Sequence, residues 1–153
     1  MRILIDADAC PVKEEVLRVA ERHGFEAHYV ANSWMRLPEG PLVRRVMVGD
    51  KFDEADDWIA GNCGPDDIVV TADIPLAARC RKAGATVIGQ TGKPFTEASI
   101  GMALAMRELM TDLRAMGEAR GGNAPFSRQD RSRFLQALET AVQAILRRPG
   151  RTP

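Results

Sequence analysis

The chain has 153 residues, 45% of them hydrophobic and 27% charged. That is ordinary for one globular domain and outside the range of a disordered chain. Its 21 Lys and Arg balance 21 Asp and Glu, which excludes a polycation that grips nucleic acid by bulk charge, though not a local basic patch.

The start, MRILIDADACPVK, has an apolar run of three residues before two aspartates. A secretory leader needs a longer one, and no run approaches the length of a membrane span. Three cysteines (Cys10, Cys63, Cys80) include no C-x-x-C pair. This argues against a disulfide framework or a thiolate zinc site, and the expectation is a soluble protein of the reducing cytoplasm.

Residues 2–5 (RILI) read as a short buried parallel strand. Pro11 suits a first helical turn, Val12, Val16, Leu17 and Ala20 follow at helical spacing, and Gly24 is the stop. Residues 26–31 predict a second strand, 32–43 a loop punctuated by Pro38, Gly40 and Pro41, and 44–48 a third strand. A short helix is expected from Phe52 to Ala60 and a strand over 68–71 (IVVT). Pro75 opens the next helix with Asp73 as its N-cap, Gly84 ends it, and 85–88 make a further strand. Two longer helices follow over 97–116 and 127–148, the second opened by a capping-box pair, Ser127 and Asp130. Its apolar stripe includes Phe134, Leu138, Val142 and Ile145; it either packs on the sheet or mediates self-association.

This alternation predicts an α/β, three-layer sandwich around a mainly parallel sheet, with a C-terminal helical extension. One domain is expected over 1–148, with an α/β body over 1–96, helices over 97–148 and a frayed tail over 149–153. Charge divides along the same line. Residues 1–106 carry 12 basic and 16 acidic side chains, whereas 107–153 carry 9 arginines and 5 acids.

The acids are clustered. Asp6 and Asp8 follow the first strand, Asp53, Asp56 and Asp57 lie in GDKFDEADDWIA, and Asp73 follows IVVT. Ligands of open parallel sheets bind at the carboxyl ends of the strands, where Asp6 and Asp73 both fall. Spacings of three and four put Asp53, Asp56 and Asp57 on one helical face. Two unit charges about 4 Å apart repel by around 4 kcal/mol at an effective dielectric near 20. Converging carboxylates therefore protonate, separate or share a cation. An all-oxygen donor set suits Mg²⁺ or Mn²⁺, which activate water and neutralise a phosphodiester under attack.

The plainer roles stand beside these. Asp73 is equally a helix cap, and Asp56 and Asp57 equally a solvated face. Thr71 is either strand filler or the holder of a bound water or phosphate oxygen. Lys13, in a first helical turn, can meet phosphate, and Lys51 and Arg79 a substrate backbone, but each also serves as surface charge. Cys10, His23 and His28 read as packing or core-edge residues. Trp34 and Trp58 can stack on bases, though core packing is the favoured role.

The motifs DADACPVK (Asp6 to Lys13), FDEADDWI (Phe52 to Ile59), DIVVTADIPLAARC (Asp67 to Cys80) and GG-x-x-PF (Gly121 to Phe126) together resemble the YaiI/YqxD family over nearly the whole chain. Members usually carry proline where Asn123 stands. That family is in turn similar to PIN-like nucleases, in which a strand-end aspartate, an acid of a middle helix and the aspartate of a T-x-D strand end bind Mg²⁺ or Mn²⁺. The resemblance implies Asp6, Asp56 or Asp57, and Asp73 as metal ligands, with Asp8 and Asp53 as further acids that complete the site or orient water.

The leading expectation is a metal-dependent phosphodiester hydrolase acting on RNA, with Arg107, Arg114, Arg128, Arg131 and Arg133 gripping phosphates. The alternatives are a non-catalytic RNA-binding adaptor on the same fold, and a haloacid-dehalogenase-like phosphatase with Asp6 as nucleophile. The last lacks an acid after the ATVI strand, where GQTG stands.

Overall fold

The computed structural model describes residues 1–8, 10–49, 51, 53–115 (112–115 as backbone) and 125–149. Ala9, Phe52, Asn123 and the Gly121–Ala124 part of the GG-x-x-PF motif lie outside them, as do 150–153 of the expected frayed tail.

Five strands form one sheet: β1 (Arg2–Asp6), β2 (Glu26–Ala31), β3 (Val43–Met47), β4 (Asp67–Val70) and β5 (Thr86–Ile88). The order is β3-β2-β1-β4-β5, and every pairing is parallel. Among the described residues five helices cover it: α1 (Lys13–His23), α2 (Glu54–Asn62), α3 (Ile74–Lys82), α4 (Glu97–Ala115) and α5 (Arg128–Leu146). The expected three-layer α/β architecture is therefore present. Among the described residues, no helix is long and apolar enough to cross a membrane.

Alternation along the strands separates two cores. Ile3 and Ile5 of β1 pack with Ala27 and Tyr29 of β2, Val16 and Val19 of α1, and Phe134, Leu138, Val142 and Ile145 of α5. The stripe of the last helix is thus buried on the sheet. Leu4, Val30, Val69 and Val87 face the other way, onto Ala55 and Ile59 of α2, Leu76 and Cys80 of α3, and Ile100 of α4. Further along, α4 leaves Met102, Met106 and Leu109 exposed.

Local chemistry sets the element ends. Gly24 closes α1 in the left-handed conformation (φ 74°). The Asp73 carboxylate accepts from the Leu76 amide at 2.9 Å and caps α3. Ser127 and Asp130 form the expected capping box. Pro11 differs from expectation: it lies in a turn ahead of α1, which starts at Lys13.

Parallel neighbours are usually joined through a helix. Between β2 and β3, however, residues 32–42 cross without one. Leu37 is buried and Met35 half-buried against the α1–α5 core, so apolar anchors hold this crossover where helical packing otherwise would.

A carboxylate crevice at the strand-order reversal

The sheet reverses its order between β1 and β4, where an open parallel sheet opens a crevice at its carboxyl edge. Ile5 is in register with Val70, so the next residues, Asp6 and Thr71, stand side by side. They continue the alternation of Leu4 and Val69, which places them on the α2–α3 side of the sheet.

The Thr71 hydroxyl donates to Asp6 Oδ2 at 3.0 Å and accepts from the Asp73 amide at 3.0 Å. Thr71 is fully buried and its oxygen is engaged on both sides. It therefore positions Asp6 and Asp73.

Asp8, two residues past the strand, accepts from the Asn32 amide at 3.1 Å. That bond ties the β1 end to the start of the β2–β3 crossover.

Electrostatics link these acids to α2. Burial chiefly holds the Asp6 carboxyl above its ordinary range, the Thr71 bond opposes this, and the charges of Asp8 and Asp73 add to it. Asp56 is pushed up to about 6, first by burial and then by Asp73, Asp6 and Asp53. Asp57 instead pairs with Arg79 at 2.8 Å, both side chains about half exposed. Of the two candidates on α2, Asp56 is thus the one coupled to Asp6 and Asp73.

Asp53 departs from the expected shared helical face. It is the N-cap of α2, with φ 66° and no side-chain capping bond, and among the described residues it alone combines a side chain with positive φ. Such strain is of order 1–3 kcal/mol and gathers at functional sites.

Among the described residues, no group of three or more His, Cys, Asp or Glu side chains is placed to hold a metal ion. The acids form an electrostatic basin, not a finished coordination sphere. The donor chemistry nevertheless fits Mg²⁺ or Mn²⁺: every candidate ligand is a carboxylate oxygen, and Asp6 and Asp56 resist ionising in the absence of a cation.

The basic candidates divide. Lys13 donates to the Cys10 carbonyl at 2.6 Å and lines a cleft with Arg36. Arg79 is held by Asp57. Arg131 is turned into the α1–α5 contact, donating to the Pro11 carbonyl at 2.6 Å and to Glu15 at 3.1 Å. Arg133 pairs with Asp130 on its own helix at 3.8 Å. Lys51, Arg107 and Arg128 are exposed, and no described contact brings them to the crevice. The Arg114 side chain lies outside the described residues.

Trp58 packs against the α2–α3 core as expected. Trp34 does not: it is 74% exposed. Arg36 and Arg45 stand around it, and neither was singled out in the sequence. The available signal was a tryptophan in a Pro- and Gly-punctuated loop with arginines two residues on and in the following strand.

The fold and the crevice define an α/β protein with a parallel sheet and an acidic site at its strand-order reversal. The sequence profile described as "Uncharacterized BCR, YaiI/YqxD family" matches residues 4–144, and the chain belongs to that family. Its relatives include a UPF0178 protein of Rhodopseudomonas palustris, 60% identical over 147 residues (96% of this chain, 93% of the relative). Another, from Parvibaculum lavamentivorans, is 59% identical over 147 residues (96% and 97%). A third, from Nitrobacter winogradskyi, is 58% identical over 147 residues (96% and 94%). No solved structure matches the chain.

Proposed function

We propose that this chain is a metal-dependent phosphodiester hydrolase acting on RNA, with Asp6, Asp56 and Asp73 as ligands for Mg²⁺ or Mn²⁺. The observation that carries the reading is the raised Asp56 carboxyl, pushed to about 6 first by burial and then by Asp73 and Asp6 from two other elements in the crevice of the sheet. The resemblance to PIN-like nucleases supports the same assignment.

A bound Mg²⁺ or Mn²⁺ supplies charge neutralisation at the phosphate and acidifies water. The chain supplies geometry. Thr71 fixes Asp6 relative to Asp73, and the Leu76 amide holds the Asp73 carboxylate. Asp8, anchored by the Asn32 amide, or Asp53 at the start of α2 orients the attacking water and takes its proton. The water oxygen bonds to phosphorus, the ester P–O bond breaks, and the leaving oxygen gains a proton from solvent. Asp6, Asp56 and Asp73, each half-buried, would be the residues to hold the cation.

The test is cleavage of single-stranded RNA by purified protein with Mn²⁺, with Asp6→Asn as control. Cleavage lost in the variant supports the reading; no cleavage of RNA or DNA with any divalent ion overturns it.

A non-catalytic RNA-binding module is the second reading, favoured by the absence of a ready-made metal cluster among the described residues. RNA binding insensitive to EDTA, without cleavage, selects it.

A further inference from the structure

We propose that Trp34, with Arg36 and Arg45, is a stacking platform for an unpaired nucleobase of single-stranded nucleic acid, on the crossover that leaves the end of β2. This rests on the phosphodiester reading for its direction, and its own evidence is separate.

The first observation is exposure. Large aromatic side chains normally bury their rings, yet Trp34 is 74% open to solvent. The second is what holds it. Leu37 is 8% exposed and, with Met35, anchors the crossover into the α1–α5 core. Arg45 on β3 donates to the Met35 carbonyl at 2.8 Å and lies over the Trp34 ring, its guanidinium carbon 5.8 Å from the ring centroid. The indole is thus set from one side by a cation on a strand, and most of its surface is left free.

The third observation is charge. Arg36 is exposed and makes no ion pair or hydrogen bond among the described residues. It lines both a cleft of about 360 Å³ with Trp34 and Arg45 and an adjoining one of about 430 Å³ with Lys13. Glu39 lines both clefts too and Glu14 the second, so the surface is mixed in sign and not a broad cationic field.

The fourth is position. The Asp8–Asn32 bond fixes the start of the crossover against the acid site. Trp34 is two residues further, at most ~7 Å of extended chain. Arg45 is in register with Tyr29, so the platform lies over the α1–α5 face of the outer strand β3, and a nucleic-acid strand with a base on Trp34 must pass the end of β2 to bring further phosphates to the crevice.

A stacking face with arginines serves unpaired bases of any sequence, and duplexes hide those faces. The platform accordingly predicts preference for single strands over duplex, with little sequence selectivity.

The experiment uses the full chain carrying Asp6→Asn, so that substrate survives, with a labelled oligouridylate, its oligodeoxythymidylate counterpart and a matched RNA duplex, read by fluorescence anisotropy. Trp34→Ala is expected to weaken binding of the single strands about tenfold, Trp34→Phe to restore most of it, and Arg36→Ala to weaken it and flatten its salt dependence. Duplex affinity should not change. A stronger effect on oligouridylate than on oligodeoxythymidylate assigns the site to RNA, and equal effects to unpaired strands of either kind.

In the Trp58→Phe background, where Trp34 is the remaining tryptophan, the oligomers should quench its emission. Unchanged affinity in Trp34→Ala together with unquenched emission overturns the platform. The two proposals fail separately. Mn²⁺-dependent cleavage by the protein with Asp6 restored, equally fast with and without Trp34→Ala, retains the hydrolase and removes the platform. Trp34-dependent binding without cleavage retains the platform and removes the hydrolase.

Discussion

The Thr71 hydroxyl sits 3.0 Å from Asp6 Oδ2 and spans the ends of β4 and β1. The same oxygen receives the Asp73 amide, so one buried atom sets two acids that are 67 residues apart in the chain.

Thr71→Val keeps the shape and removes that atom. The Thr71 bond lowers the Asp6 pKa, so its loss raises it further. Apparent Mn²⁺ affinity, followed by calorimetry against pH, should weaken, with its acid limb moved to higher pH. Stability should fall by about 1–3 kcal/mol, because the Asp73 amide loses its acceptor. Thr71→Ser should recover both. A pH profile identical to wild type refutes the positioning role.

Asp6→Asn should abolish Mn²⁺-dependent cleavage and leave the circular dichroism spectrum intact. Among the described residues the carboxylate makes no bond other than the one to Thr71, and an asparagine oxygen can still accept it. Residual cleavage above about one per cent of wild type would remove Asp6 from the centre of the site.

Asp56 gives a stability signature without any substrate. Its folded pKa of about 6 lies above the ordinary aspartate range, so the folded state holds this proton more tightly than the unfolded one. The stability associated with that proton is full below the unfolded pKa and lost as pH rises through about 6. Asp56→Asn should thus melt higher than wild type at pH 7.5 in EDTA, with the difference closing by pH 4. Mn²⁺ should raise the wild-type melting temperature at pH 7.5 and raise that of the variant less. A melting difference independent of pH contradicts the crowding of Asp56 by its neighbours.

Gly92 lies far from this chemistry and tests the fold. Its φ is +89°, and an added Cβ would stand 2.7 Å from the Arg133 carbonyl and 3.2 Å from Ala137 Cβ. Gly92→Ala must both strain the backbone and push α5 from the β5 edge. A cost of roughly 2–3 kcal/mol is expected, a melting temperature lower by about 5–10 °C. RNA cleavage below that temperature should be unchanged.

Particular elements show where sequence was informative. Short apolar runs marked β1, β4 and β5, because burial on both faces demands them, whereas the edge strand β3 carries Arg44 and Arg45 on exposed positions. Asp73, Pro75, Ser127 and Asp130 announced their helix starts through capping chemistry. Strand order was beyond reach, since nothing local in RILI or IVVT says that β1 lies between β2 and β4.

In the site, Asp6 and Asp73 were legible as strand-end acids. The choice between Asp56 and Asp57 was not, because it depends on Arg79 arriving from α3 to take Asp57. Trp34 was misjudged for a related reason. Aromatic residues usually enter cores, and here the smaller neighbours Met35 and Leu37 do so instead.

The contact between α5 and α1 has a consequence for synthesis. Glu139 of α5 binds Arg22 at 2.8 Å and His23 at 2.7 Å, and Arg131 reaches Glu15 and the Pro11 carbonyl. The first helix made is therefore sealed by the last. While the ribosome is still translating, Ile3, Ile5 and Tyr29 lack their cover from Phe134, Leu138 and Val142. The nascent chain must carry a bare greasy flank until α5 emerges, and clipping or premature termination ahead of α5 should yield an insoluble product.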